Sequence, residues 1–109
     1  MAFENKAVAN ISNSESTPTT ISDTVAASTT HTIIGLSLSN KTTSNITVTA
    51  SITKSGGTLT YLVKDATVLP GGALVVVGAD QKLVLEPNDI VQAYASAATS
   101  ADAVVSYLV

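Results

Sequence analysis

A chain of 109 residues with no cysteine and only 12% charged side chains can close one small core, and it has no disulfide, zinc–thiolate site or thiol nucleophile to draw on. Every one of its five cations is a lysine, the net charge is −3 and the pI is near 4.7. No basic stripe exists to neutralise phosphates, which argues against nucleic acid as a partner.

The opening "MAFENKAVANIS" has acid and polar residues where a secretory signal needs an apolar block, and no apolar run approaches a membrane-spanning length. A product made inside the cell, with no membrane partner, is the expectation. Residues 1–18 are polar and loosely patterned up to Pro18. They read either as a disordered leader or as an arm that pairs with a neighbouring subunit through Phe3, Val8 and Ile11, the candidate assembly contacts. On either reading they could be removed without unfolding the domain over 19–109.

From residue 19 the chain reads as strand after strand. "TTISDTVAA" carries Ile21, Asp23 and Val25 on one parity and predicts a modest edge strand. "THTIIGLSLSN" places Thr32, Ile34, Leu36 and Leu38 on one face. "ITVTASITK" is the most regular strand, with Ile46, Val48, Ala50 and Ile52 inward and Thr47, Thr49, Ser51 and Thr53 outward. After the "KSGGT" turn, "TLTYLVK" returns as a hairpin partner with Leu59, Tyr61 and Val63 inward. Asp65 is expected to begin a turn that breaks the run, and Pro70-Gly71-Gly72 to form a tight turn. "ALVVV" and "KLVLE" follow, joined by "GADQ"; "EPND" turns into "IVQAYA"; and "DAVVSYLV" closes with Ala103, Val105, Tyr107 and Val109 on one face. Eight or nine short strands with turn signals about every ten residues and no convincing helix predict an all-β fold. The architecture is a single antiparallel β-sandwich of jelly-roll or immunoglobulin-like type, two connection schemes that hardly differ in pattern.

The glycine-flanked stretch "GGALVVVGADQKLVLEPNDIV" is the one place that invites chemistry. Gly71, Gly72 and Gly78 fit neither dinucleotide nor P-loop spacing, and strand follows them where a phosphate loop needs a helix, so they read as turn residues. Asp80 and Glu86 stand at opposite ends of a strand, about 20 Å apart by strand rise, too far to share an ion. Glu86 and Asp89 flank Pro87-Asn88 and read as turn caps rather than a calcium site. His31, the single histidine, lacks a nucleophile elbow and reads as a polar residue at a strand head. Three tyrosines, one phenylalanine and no tryptophan give little from which to line a sugar cleft. Catalysis, cofactors and metals are therefore not expected.

The phrases "IIGLSLSN", "YLVKDATVLPGG", "LVLEPNDIVQAYAS" and "DAVVSYL" carry a likeness. The chain after residue 18 resembles small virion structural proteins of tailed bacteriophages, marine and cyanobacterial phages among them. The resemblance implies a β-sandwich that serves as capsid cement or decoration, or as a neck, tail or fibre part. It also implies a virion location after synthesis in the host cytoplasm, and as partners the major capsid protein or other virion proteins and further copies of itself. The shared phrases are strand-and-turn segments, so no functional residue is carried over. A host- or carbohydrate-binding module is the remaining alternative.

Overall fold

The computed structural model describes residues 2–78 and 80–109. Nine strands run in chain order: β1 (Phe3–Val8), β2 (Thr19–Thr20), β3 (His31–Asn40), β4 (Ile46–Thr53), β5 (Leu59–Val68), β6 (Ala73–Val77), β7 (Leu83–Leu85), β8 (Ile90–Ala95) and β9 (Ala101–Leu108). Among the described residues there is no helix. One sheet has the order β1-β9-β3-β6, with β7 also on β3; the other has the order β2-β8-β4-β5. All pairings are antiparallel.

The pairs are nested. β4 and β5 form the innermost hairpin, β3 pairs β6 and β7, β2 pairs β8, and β1 pairs β9. A long antiparallel ribbon is thus folded at the β4–β5 turn and rolled until β9 lies along β3 and β8 along β4. β6 and β7 fill one strand position in two pieces, against Leu36–Ser39 and His31–Ile33 respectively. Eight strand positions in this order are those of a jelly roll rather than an immunoglobulin-like sandwich.

Alternation fixes which side chains enter the core. Ile46, Val48, Ala50 and Ile52 of β4 all point inward and are buried, as are Ala103, Val105 and Tyr107 of β9. On β3 the alternation is interrupted. A bulge between Ile33 and Gly35 moves the buried face from Ile33 to Leu36 and Leu38, so Ile33 is core and Ile34 is not.

Two turns show why the glycines stand where they do. Leu69-Pro70-Gly71-Gly72 is closed by the Gly72 N–H donating to the Leu69 carbonyl at 2.9 Å, with Gly71 at φ 71°. Pro at the second position and a left-handed glycine at the third make a type II turn. Gly57, at φ 96°, closes the β4–β5 hairpin by donating to the Lys54 carbonyl at 2.8 Å. The expected "GADQ" turn includes residue 79, which lies outside the described residues.

Several expectations are corrected. Residues 1–18 are not set apart from the sandwich: Phe3–Val8 is edge strand β1, in register with β9 of the same chain from Phe3↔Leu108 to Val8↔Ala103. Ile11 is core, and its N–H donates to the Ala101 carbonyl at 3.0 Å. The "TTISDTVAA" strand shrinks to Thr19–Thr20, while Ile21 and Val25 reach the core from the loop that follows. Asp65 does not end its strand. It is a left-handed bulge residue (φ 50°) inside β5, and its N–H is satisfied by Thr49 Oγ1 at 2.9 Å, so the ladder resumes beyond it. A second register shift, between Ala50↔Val63 and Ser51↔Tyr61, turns Leu59 and Tyr61 to solvent rather than the core.

Candidate functional site

The two sheets differ sharply in what their outer faces offer. On the four-stranded sheet the outward residues of β4 and β8 include Thr47, Gln92 and Tyr94, while Thr49 is buried under the Asp65 bulge. Tyr61 and Lys64 of β5 complete a polar platform. The Lys64 ammonium lies 5.2 Å from the Tyr61 ring centroid and 6.0 Å from that of Tyr94, and 3.3 Å from the Tyr94 hydroxyl. Glu15 lies 3.9 Å from Lys64 and accepts a hydrogen bond from Tyr61 at 3.4 Å. The Tyr94 hydroxyl, with a contribution from Asp65, holds Lys64 well above the ordinary lysine range.

The five-stranded sheet presents the opposite character. Its outward positions are Phe3, Asn5 and Ala7 on β1, Asp102, Val104, Ser106 and Leu108 on β9, Thr32, Gly35, Ser37 and Ser39 on β3, Ala73 and Val75 on β6, and Val84 on β7, as the cross-strand registers require. Four of the eight large apolar side chains that the described residues leave exposed lie here: Phe3 at 77%, Val75 at 66%, Val84 at 53% and Val104 at 46%. Asp102 is the single charge among these positions. It sits at one end and is neutralised by Lys41 at 2.9 Å, which holds the Asp102 carboxyl below the usual carboxylate range. Two shallow grooves mark the face. One of about 250 Å³ is floored by Gly35, Ser37 and Ser106 between Val75 and Val104. The other, of about 230 Å³, lies between β1 and β9 beside Ala7 and Ala103.

The three candidate assembly contacts are not brought together. Phe3 stands on this outer face, Val8 is half-buried against the core, and Ile11 is 1% exposed and closed to any partner. Of the three, Phe3 alone is fully open to solvent. Nothing in the alternation of β1 could have separated them, because Phe3 and Val8 have opposite parity and only the register with β9 says which parity faces out.

The acidic stretch is structural. Asp89 is 1% exposed and accepts the N–H groups of Glu86 at 2.9 Å and Ser55 at 3.0 Å, with the Lys54 ammonium at 2.5 Å. Burial pushes its carboxyl up, but Lys54 and the two N–H donors outweigh burial and leave it below the ordinary value. It ties the β7–β8 turn, with Asn88 left-handed at φ 67°, to the β4–β5 turn. Among the described residues no group of three or more His, Cys, Asp or Glu converges as a metal site.

His31 and Tyr107 also belong to the architecture. Their rings stack at 4.9 Å, and the Tyr107 hydroxyl donates to Asp23, which Lys6 of β1 pairs at 3.3 Å. The hydrogen bond to Asp23 pushes Tyr107 up to about 12 and pulls Asp23 down.

No protein-family model matches the chain, and no curated protein matches it in sequence.

Proposed function

We propose that this chain is a bacteriophage virion structural protein, a cement or decoration component that bridges and stabilises neighbouring shell subunits. The observation that carries the reading is the outer face of the five-stranded sheet. A continuous surface of Val, Ala, Gly, Ser and Phe with one neutralised charge, on a chain this rich in Ser and Thr, suits burial against a neighbour. The resemblance of its strand-and-turn phrases to small phage virion proteins supplies the kind of assembly. The mechanism is linkage: a protein that binds the assembled shell and not its separated subunits stabilises the shell by its binding free energy at every occupied site.

The test is addition of purified protein to shells that lack it. Stoichiometric binding and a raised shell melting temperature are expected. Val104→Lys, which puts a charge in the middle of the face, should abolish both while leaving the domain folded. Shells that neither bind the protein nor melt higher would remove the cement reading and favour a neck, tail or fibre part present in few copies.

A host- or carbohydrate-binding module is favoured by one observation, the Tyr61–Lys64–Tyr94 platform with Glu15 beside it. Aromatic faces and carboxylates can stack on and hydrogen-bond to a sugar. Binding on a glycan array that Tyr94→Ala abolishes would move the assignment to this class.

A further inference from the structure

The uncharged face fits one occupant better than others, and we infer that it is a second copy of this chain, joined by reciprocal insertion of Phe3. The inference rests on reading that face as an association surface; it does not require a virion.

Three observations select a like partner. First, charge: the one acid of this face is paired with Lys41, so two copies can meet through it without burying an unpaired charge. A face without charges also offers an unlike, charged partner nothing to recognise.

Second, area. Four strand positions about 4.8 Å apart and about eight residues long give a face of roughly 500 Å² in projection. Two such faces bury about 1,000 Å² or more, which reaches the lower end of the range for specific interfaces. Flat sheets of this kind stack face to face at about 10 Å, as the two halves of the sandwich already do.

Third, a knob and a hole share the face. Phe3 is paired with Leu108, whose neighbour Tyr107 points into the core, so the phenyl ring projects outward at the end of β1 and is the most exposed large apolar side chain described. Two strand positions across, the groove over Gly35 holds about 250 Å³. A dry cavity of about 150 Å³ already accommodates a benzene ring. Gly35 stands at the β3 bulge and supplies the depth: a side chain there would rise from the floor, with only the Ser106 Cβ, at 4.0 Å, near its first carbon. A twofold axis lying between the two faces, parallel to them and midway between Phe3 and the groove, carries each Phe3 toward the partner's groove, an isologous contact that closes at two copies and leaves no further hydrophobic knob on the face.

Sedimentation equilibrium on the full chain is the test. Wild type is expected to be a dimer of 11.0 kDa subunits at micromolar concentration. Phe3→Ser removes the knob and Gly35→Val plugs the hole; each should weaken the dimer at least about 100-fold. Neither meets a close contact within its own chain, and circular dichroism and melting confirm that each remains folded. Mixing the two variants restores one intact knob-and-hole pair and should give a heterodimer that neither forms alone. Leu59→Ser, on the other sheet, should leave the dimer unchanged.

A wild-type monomer up to about 100 μM, or a dimer indifferent to both variants, would overturn the inference. So would two folded monomeric variants that fail to associate when mixed. A monomer that still binds shells would overturn self-association and leave the cement reading intact; a dimer that ignores shells would do the reverse.

Discussion

Ile11→Ala measures whether the first residues belong to the sandwich. Ile11 lies in the core cluster at 1% exposure, with its backbone bonded to Ala101. The substitution deletes three buried carbons, about 0.8 kcal/mol each in transfer free energy, or about 2.4 kcal/mol together. The cavity left behind adds to this, since Ile, Leu or Met→Ala changes in cores cost about 2–5 kcal/mol in total. A loss of about 3–4 kcal/mol is expected, from a total stability of about 5–15 kcal/mol for a domain of this size. At roughly 4–6 °C per kcal/mol, the melting temperature should fall by about 12–24 °C. Urea unfolding followed by circular dichroism, at the lowest workable protein concentration so that self-association does not contribute, gives the free energy directly. Phe3→Ser, eight residues away and exposed, should change it by no more than about 0.5 kcal/mol. An Ile11→Ala protein within about 0.5 kcal/mol of wild type would refute the placement and return residues 1–18 to the status of a dispensable arm.

Three further outcomes are expected. Asp89→Ala leaves the Ser55 and Glu86 N–H groups without their acceptor and should cost about 2–4 kcal/mol by urea titration, after allowance for the partly exposed Lys54; a cost under about 0.5 kcal/mol would show that the two turns are not tied through it. Asn40 is 2% exposed, and its amide donates to the carbonyls of Ser44 and Val68 at 2.8 and 3.0 Å, so Asn40→Asp replaces a donor with a buried charge and should cost about 3–5 kcal/mol; full stability at neutral pH would refute that network. Asp23, Asp89 and Asp102 all have carboxyls lowered from the ordinary 3.8 in the folded state, so the stability they add is complete above that value and is lost as pH falls through their lower folded values. The melting temperature should drop steeply below about pH 4, less so in Asp89→Ala, and a curve unchanged to about pH 2.5 would contradict the pairing.

The fold class was legible because strict alternation survives wherever a strand is paired without interruption. "ITVTASIT" placed Ile46, Val48, Ala50 and Ile52 correctly, and Pro70-Gly71 announced its turn. Bulges hid the rest, two of them in particular. At Ile33–Gly35 a shift in register reversed the parity that the apolar pattern of β3 suggested. At Asp65 a left-handed residue looked like the end of a strand, but Thr49 from β4 satisfied its backbone. Both depend on a partner strand many residues away, which local pattern does not contain.

The association surface was less legible for a related reason. Its exposed side chains, Phe3, Val75, Val84 and Val104, come from four strands spread over the whole chain. Each alone reads as an ordinary strand residue, and rolling the ribbon puts them on one face. Tyr61 and Tyr94 were likewise assigned to separate strands, and the β4 registers brought them around Lys64. Ile11 was misplaced because it is a single apolar residue in a polar context, with no periodicity to mark it as core.

The copy number of this chain in purified virions, measured by quantitative mass spectrometry against the major shell protein, tests the cement reading most directly. A count comparable with the shell protein is the predicted result. A count matching a single vertex or the tail, or absence from the particle, would contradict it.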